Sequence, residues 1–332
     1  MRAPVDLAAV RTAFRLPRSL EVVSHHPGAS GTWRLRSGGG DGFALKVLTA
    51  SDERARTRIL HQGQLELAAS AAGVAMPELV APISPALGLC ADVDGQLVEV
   101  HRWVDTLPGN AQVDQPALHR WLGRTLVLLH GLVPLGPEHE ELAQAYAVPP
   151  IADWTEWVRE AHRLGLAWGP IGTELLDVVP AATALVQSAL DDVTLRRCLT
   201  HRDVNPPNVL HTENGPVLCD FGSAGPDIAW LEAVSTAASF EAPDVLPAYL
   251  DAGGQIGPTS TVALARAVGS AANWLAFTMR LSLGHHNTTK EQRREATARV
   301  PSTCREVIDR VTHQDAARHE LLGAVMPSAA SD

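Results

Sequence analysis

The chain is 332 residues long, 45% hydrophobic and 19% charged, with a formal net charge of −10. That composition is globular, with length for one large domain or two lobes; it excludes a disordered chain, and its sign makes a nucleic-acid phosphate backbone an unsuitable partner. Its four widely spaced cysteines (Cys90, Cys198, Cys219 and Cys304) contain no CxxC pair, which argues against a zinc site or a disulfide framework and suits a reducing cytosol.

The N-terminal MRAPVDLAAVRTAF carries charges throughout, unlike a signal peptide, and no run approaches the roughly 18 apolar residues of a membrane span. A soluble, cytoplasmic protein without a membrane partner is expected. Residues 1–20 read as a helix and a linker. EVVSHHPGASGTWRLRSGGGDGFALKVL, residues 21–48, reads as strand, Gly-rich turn, strand, loop and strand, with GGGDG at a hairpin tip. RARTRILHQGQLELAASAAG is helical and ends at Gly73. Strand-like pieces follow in PELVAPI and GLCADVDGQLVEVHRWV, the latter turning at Asp94-Gly95.

Beyond about residue 105 the period becomes helical, in PALHRWLGRTLVLLHGL, IADWTEWVREAHRLGL, TELLDVVPAATALVQSALDDV and again from 229 to 323. Strands return only around 198–222. The expected architecture is α+β: a small antiparallel-β lobe over residues 1–102 and a larger, mainly helical lobe over 103–332.

HRDVNPPNVLHTENGPVLCDFG, residues 201–222, holds the chemistry. Asn214-Gly215 is a hairpin turn, and folding there sets Asn208 and Asp220 across from each other, with Cβ atoms roughly 5–8 Å apart. An amide oxygen and a carboxylate at that separation suit Mg²⁺, while Asp203, in the loop before, is placed to take a proton from a substrate hydroxyl. Asp and Asn also cap turns, which is the plain alternative. Only two lysines occur, Lys46 and Lys290. FALKVL puts Phe43, Leu45 and Val47 on one face and Ala44, Lys46 and Leu48 on the other. Lys46 is there either a phosphate-gripping cation or a snorkelling edge lysine.

His201-Arg202-Asp203, Asn208 and Asp220-Phe221-Gly222 resemble the catalytic loop and metal motif of the protein-kinase-like fold. The double proline of HRDVNPPNVL and the run from Asp220 straight into SAGPDIAWLEAV resemble the aminoglycoside phosphotransferase and choline kinase branch, and no APE-like element follows. The resemblance implies a bilobal fold in which Asp203 is the catalytic base and Asn208 and Asp220 hold Mg²⁺. It makes Lys46 the grip on the α and β phosphates, and lays the GASGTW turn (Gly28, Ser30, Gly31) over them. Val100 and His101, in LVEVHRW, would meet the adenine edge. GVAMPELV and LGRTLVLLHGL resemble further segments of that branch.

Departures stand beside the matches. Gln62 occupies the position of the helix glutamate that pairs with the lysine, with Glu66 one turn on. Arg202 replaces a common Gly, Asn205 a common His, and Leu231-Glu232 a common Asp-Leu. Trp154, Trp157 and Trp168 are core residues or an acceptor-stacking face; Asp153, Glu156, Asp227 and Glu232 are solvated acids or contacts for a cationic acceptor. Fourteen histidines form no HxxxH or HExxH.

The implied reaction is transfer of the γ-phosphoryl group of ATP or GTP, with Mg²⁺, to a small-molecule hydroxyl. The residue usage, rich in Ala, Arg, Gly and Pro, suits a GC-rich bacterial genome. Together with the resemblance, it puts O-phosphorylation of an antibiotic, in resistance or producer self-resistance, foremost. The alternatives are a metabolic kinase of a choline-, homoserine- or sugar-like substrate and a nucleotide-binding pseudokinase, the latter supported by Gln62.

Overall fold

In the computed structural model, which describes residues 5–26, 31–108, 113–135, 146–286 and 288–326, the first helix starts where Asp6 accepts a hydrogen bond from the Ala8 N–H. It runs as α1 (Leu7–Phe14). The chain forms two compact units. The first comprises residues 1–121, 125–134 and 199–225, and the second residues 122–124, 135–198 and 226–332.

The first unit is built on an antiparallel sheet of β1 (Leu20–His26), β2 (Thr32–Ser37), β3 (Gly42–Leu48), β4 (Ala91–Val93) and β5 (Gln96–Arg102), in the order β1-β2-β3-β5-β4. Side-chain alternation on β3 is as the sequence predicts. Phe43 and Leu45 are fully buried with Leu35, Val98 and Val100 against Val10 and Phe14 of α1, each such side chain contributing about 1.5–3 kcal/mol of burial. Asp94 and Gly95, both at positive φ (53° and 79°), close β4 onto β5 as a two-residue turn.

Helix α2 (Glu53–Ala71), capped by Asp52, turns Ile59, Gln62, Leu65 and Glu66 inward and ends at Gly73, φ 77°. PELVAPI, expected as a strand, makes only one isolated bridge, Leu79 to His101; Pro77 and Pro82 cannot donate to a ladder, which confines the pairing. Helix α3 (Gln115–Leu132) follows, capped by Asp114. The chain crosses between units within the short strands β6 (Arg197–Thr200) and β9 (Gly225–Ile228); between them lies the hairpin of β7 (Val209–Thr212) and β8 (Gly215–Leu218).

The second unit is helical: α4 (Ile151–Leu164), α5 (Gly169–Asp191), α6 (Ala229–Ser239), α7 (Val245–Asp251), α8 (Ala265–Leu283), α9 (Lys290–Thr312) and α10 (Gln314–Leu322). Trp154 and Trp168 are fully buried in its core with Leu175, Leu275, Met279 and Cys304. Their indole N–H groups are satisfied by the Pro149 carbonyl at 2.9 Å and Ser282 Oγ at 3.0 Å. Among the described residues, no helix is long and apolar enough to cross a membrane.

Candidate active site

The hairpin closes one residue earlier than Asn214-Gly215 predicts. Its turn residues are Glu213 and Asn214, and Gly215, at φ 111°, already pairs with Thr212. Thr212 sets this by accepting from the Asn214 N–H at 3.1 Å and donating to the Gly215 carbonyl at 2.8 Å. The partner of Asn208 therefore differs by one position from the Asp220 expected. Asn208 faces Cys219, whose N–H donates to its carbonyl at 2.9 Å, and Asp220 lies just beyond the ladder with φ 62°.

His201, fully buried, ties the loop to this strand. Its Nδ1 accepts from the Asp203 N–H at 3.3 Å, which leaves Nε2–H to donate to the Cys219 carbonyl at 3.0 Å. Its ring packs on Phe221 at 4.5 Å. Both carboxylate oxygens of Asp203 are held by amides: Asn205 Nδ2 donates to Oδ1 at 2.6 Å and Asn208 Nδ2 to Oδ2 at 2.9 Å. Asn205, read from sequence only as a departure, thus orients the carboxylate. Arg202 sits at φ 64°, where a Gly would be unstrained. Gly225 makes room for it: a Cβ there would meet the guanidinium.

Lys46 Nζ donates to Asp220 Oδ1 at 2.7 Å. Burial would push the Asp220 carboxyl up, but the Lys46 ammonium, His201 and the Gly222 N–H hold it below its ordinary value. Burial would lower Lys46, yet Asp220, Glu99 and Glu66 together raise it. Asp203 and Asp220 line one cavity of about 560 Å³ with Trp33, Val47, Arg58 and Gln62.

The Asn208 amide nitrogen is turned to Asp203, which leaves its carbonyl oxygen for a cation, and Asp220 retains Oδ2. One amide and one carboxylate oxygen suit a hard divalent ion such as Mg²⁺ or Ca²⁺. Gly28 and Ser30 lie outside the described residues. Gly31 stands at the start of β2 with φ 58°, a conformation that favours Gly. Val100 and His101 lie inside the β3–β5 ladder, and the Val100 carbonyl is taken by the Val80 N–H at 3.1 Å. The backbone that leaves the ladder begins past Trp103, whose N–H donates to Gly42.

Sequence reasoning missed Glu99. It is 2% exposed, directly opposite Lys46 on β5. A lone charge in the apolar run QLVEV marks the position but does not tell a buried strand glutamate from an exposed one. Gln62 Nε2 donates to Glu99 Oε2 at 2.5 Å and to Glu66 Oε1 at 3.4 Å. His101 bridges the same two carboxylates, Nδ1 to Glu99 at 3.2 Å and Nε2 to Glu66 at 3.5 Å. Of the acids offered as acceptor contacts, Asp227 and Glu232 are buried. Asp227 accepts from the Tyr146 hydroxyl and pairs with Arg266 at 3.1 Å.

Residues 21–264 match the model of the phosphotransferase enzyme family. No curated protein matches the chain. Among solved structures, a spectinomycin phosphotransferase in complex with ADP and spectinomycin superposes with a TM-score of 0.66 at 11% identity, covering 94% of this chain and 100% of that one. A microcompartment-associated aminopropanol kinase gives 0.61 at 15%, over 93% and 98%. An aminoglycoside phosphotransferase from Alicyclobacillus acidocaldarius gives 0.56 at 16%, over 97% and 98%. At these identities the likeness is one of fold, the protein-kinase-like fold of small-molecule phosphotransferases.

Proposed function

The chain belongs to the phosphotransferase enzyme family, and from that premise we propose that it carries the γ-phosphoryl group of ATP or GTP to a hydroxyl of a small molecule, with an antibiotic as the foremost acceptor class. The observation that carries this reading is the convergence, within one unit, of Lys46 on Asp220 and of Asn208 and Asn205 on Asp203.

Asp203, its two oxygens fixed by amides, orients the acceptor hydroxyl and takes its proton as the oxygen attacks phosphorus. Lys46, charged and largely buried, grips the α and β phosphates. Asn208 Oδ1 and the Asp220 carboxylate hold Mg²⁺. When bound, the ion supplies neutralisation of the phosphate oxygens as charge develops on them. The pseudokinase reading leaned on Gln62 in place of a lysine-pairing glutamate. Two carboxylates, Glu66 and Glu99, lie in the same buried layer as Gln62, which weighs against the pseudokinase reading.

All four cysteines are free, in keeping with the cytoplasmic location we propose. The test is a panel of antibiotics, amino alcohols and sugars incubated with Mg·ATP or Mg·GTP and read by the mass gain of one phosphoryl group. Gain on an antibiotic alone supports the leading role. Gain on a choline-, homoserine- or sugar-like compound moves the enzyme to metabolism. Nucleotide bound with no gain on any acceptor overturns catalysis.

A further inference from the structure

Helix α2 opens with the run RARTR, which holds Arg54, Arg56 and Arg58. Arg56 pairs along the helix with Glu53 at 3.9 Å. Arg58 is placed differently. It stands one turn before Gln62 and three residues after Ala55, so the three share a side of the helix. With them it lines the cavity of about 560 Å³ that Asp203 and Asp220 also line. All of these residues belong to the first unit. Among the described residues that line the cavity, Arg58 alone is cationic. It is exposed, and among the described residues its guanidinium makes no ion pair or hydrogen bond.

The two carboxylates of the cavity are engaged elsewhere. Asp203 is held by Asn205 and Asn208, and Asp220 by Lys46. The cavity thus brings together two committed acids from the catalytic loop and its hairpin, and one uncommitted guanidinium from α2. Acids alone would repel a polyanion. A guanidinium offers a planar fork of donors that matches phosphate oxygens, and it stays charged at any working pH. On the phosphotransferase reading, on which this step rests, Asp203 marks where the hydroxyl attacks and Asp220 where the metal ion sits. The anion that shares their cavity is then the phosphoryl group in transfer, while Lys46 grips the two nearer phosphates. We infer that Arg58 is a further catalytic residue, which binds the γ-phosphoryl group and answers the charge that spreads over its oxygens as it moves to the acceptor.

The test has one arm that needs no turnover. Calorimetry on the full chain compares Mg·ADP with Mg·AMP-PNP, a triphosphate that is not hydrolysed, or the guanosine pair if the wild type prefers it. Arg58→Ala puts the best helix former at an exposed site, so the variant should unfold at the wild-type temperature. It should weaken Mg·AMP-PNP about tenfold, the worth of one charged hydrogen-bonded contact, and leave Mg·ADP unchanged. In the kinetic arm, kcat should fall about 10³-fold, as for other arginines placed on a transferring phosphoryl group. Arg58→Lys keeps the charge and loses the fork. It should regain most of the triphosphate binding and little of kcat.

Equal losses for the diphosphate and the triphosphate in Arg58→Ala overturn the inference, because they mark a general field and no contact with the terminal phosphate. Unchanged binding of both overturns it as well, whether kcat holds or only the acceptor KM rises. Selective loss of the triphosphate in a protein that phosphorylates no acceptor upholds the Arg58 contact and places the failure in the proposed function. A wild type that binds neither nucleotide overturns both.

Discussion

Asn205 donates from its side-chain amide to Asp203 Oδ1 at 2.6 Å, while Asn208 holds Oδ2 of the same carboxylate at 2.9 Å. A carboxylate held at both oxygens has little freedom to turn, and a base gains from being fixed where the hydroxyl arrives. Asp203→Ala is expected to abolish phosphoryl transfer and leave Mg·nucleotide binding, measured by calorimetry, nearly intact. Asn205→Ala keeps the base and frees it to rotate, so kcat should fall about 10–100-fold with little change in KM. Retained turnover in Asp203→Ala would remove the base assignment.

Asp220 has two duties, the Lys46 ion pair seen here and the metal contact proposed. Asp220→Asn should lose Mg²⁺-dependent nucleotide binding in a titration of the metal; unchanged Mg²⁺ dependence counts against the second duty. The ion pair gives a separate pH signature. The Asp220 carboxyl is held below its ordinary value of 3.8, so its contribution to stability is present above that value and is lost as pH falls through the lower, folded one. The wild type should therefore hold a stability margin over Asp220→Asn at neutral pH that closes below about pH 4 in urea unfolding.

Arg202 and Gly225 are coupled by space. Arg202 occupies a left-handed conformation, and Gly225 leaves room for its guanidinium. Gly225→Ala should destabilise by about 1–2 kcal/mol, because the side chain must be displaced from its site. Arg202→Gly relieves the backbone and empties the space, so in the double variant the alanine should be tolerated, with a coupling of about 1 kcal/mol in a thermodynamic cycle. Additive losses would show that the two positions act independently.

The elements that follow period and turn chemistry were legible from residues alone: the alternating face of FALKVL, the Asp94-Gly95 turn, and the helix ended at Gly73. The hairpin at 213–214 was legible in kind and its turn off by one residue, because Thr212 captures the Asn214 N–H and starts the turn a residue sooner. That single slip moves Asn208 from Asp220 to Cys219, although both Asp203 and Asp220 still line one cavity through the turn at φ 62°. Glu99 was not legible. Nothing local distinguishes a surface glutamate on a strand from one buried against a helix about 35 residues away in sequence; only the pairing of β3 with β5 and the cover of α2 decide it. Trp154 and Trp168 carried two readings in sequence, and the Pro149 carbonyl and Ser282 hydroxyl that satisfy their indoles put both in the core.

The buried layer also sets how stability depends on pH. Burial and the neighbouring Glu66 push the Glu99 carboxyl from its ordinary 4.5 up to about 7, against the opposing pull of His101, Lys46 and the Gln62 amide. Between those two values the folded protein holds a proton that the unfolded chain has released, so stability declines as pH rises through this window and the loss persists above it. His101, raised from 6.5 chiefly against its own burial by Glu66 and Glu99, acts in the same direction: its share is full below 6.5 and lost as pH passes its higher folded value. Glu99→Gln removes the carboxyl that must ionise inside the layer. Its urea midpoint should fall less between pH 5 and pH 8 than that of the wild type, and at pH 8 should equal or exceed it. Parallel lines for the two proteins across that range would mean that Glu99 is ionised at no cost in the folded state, and that the layer is wetter than its burial implies.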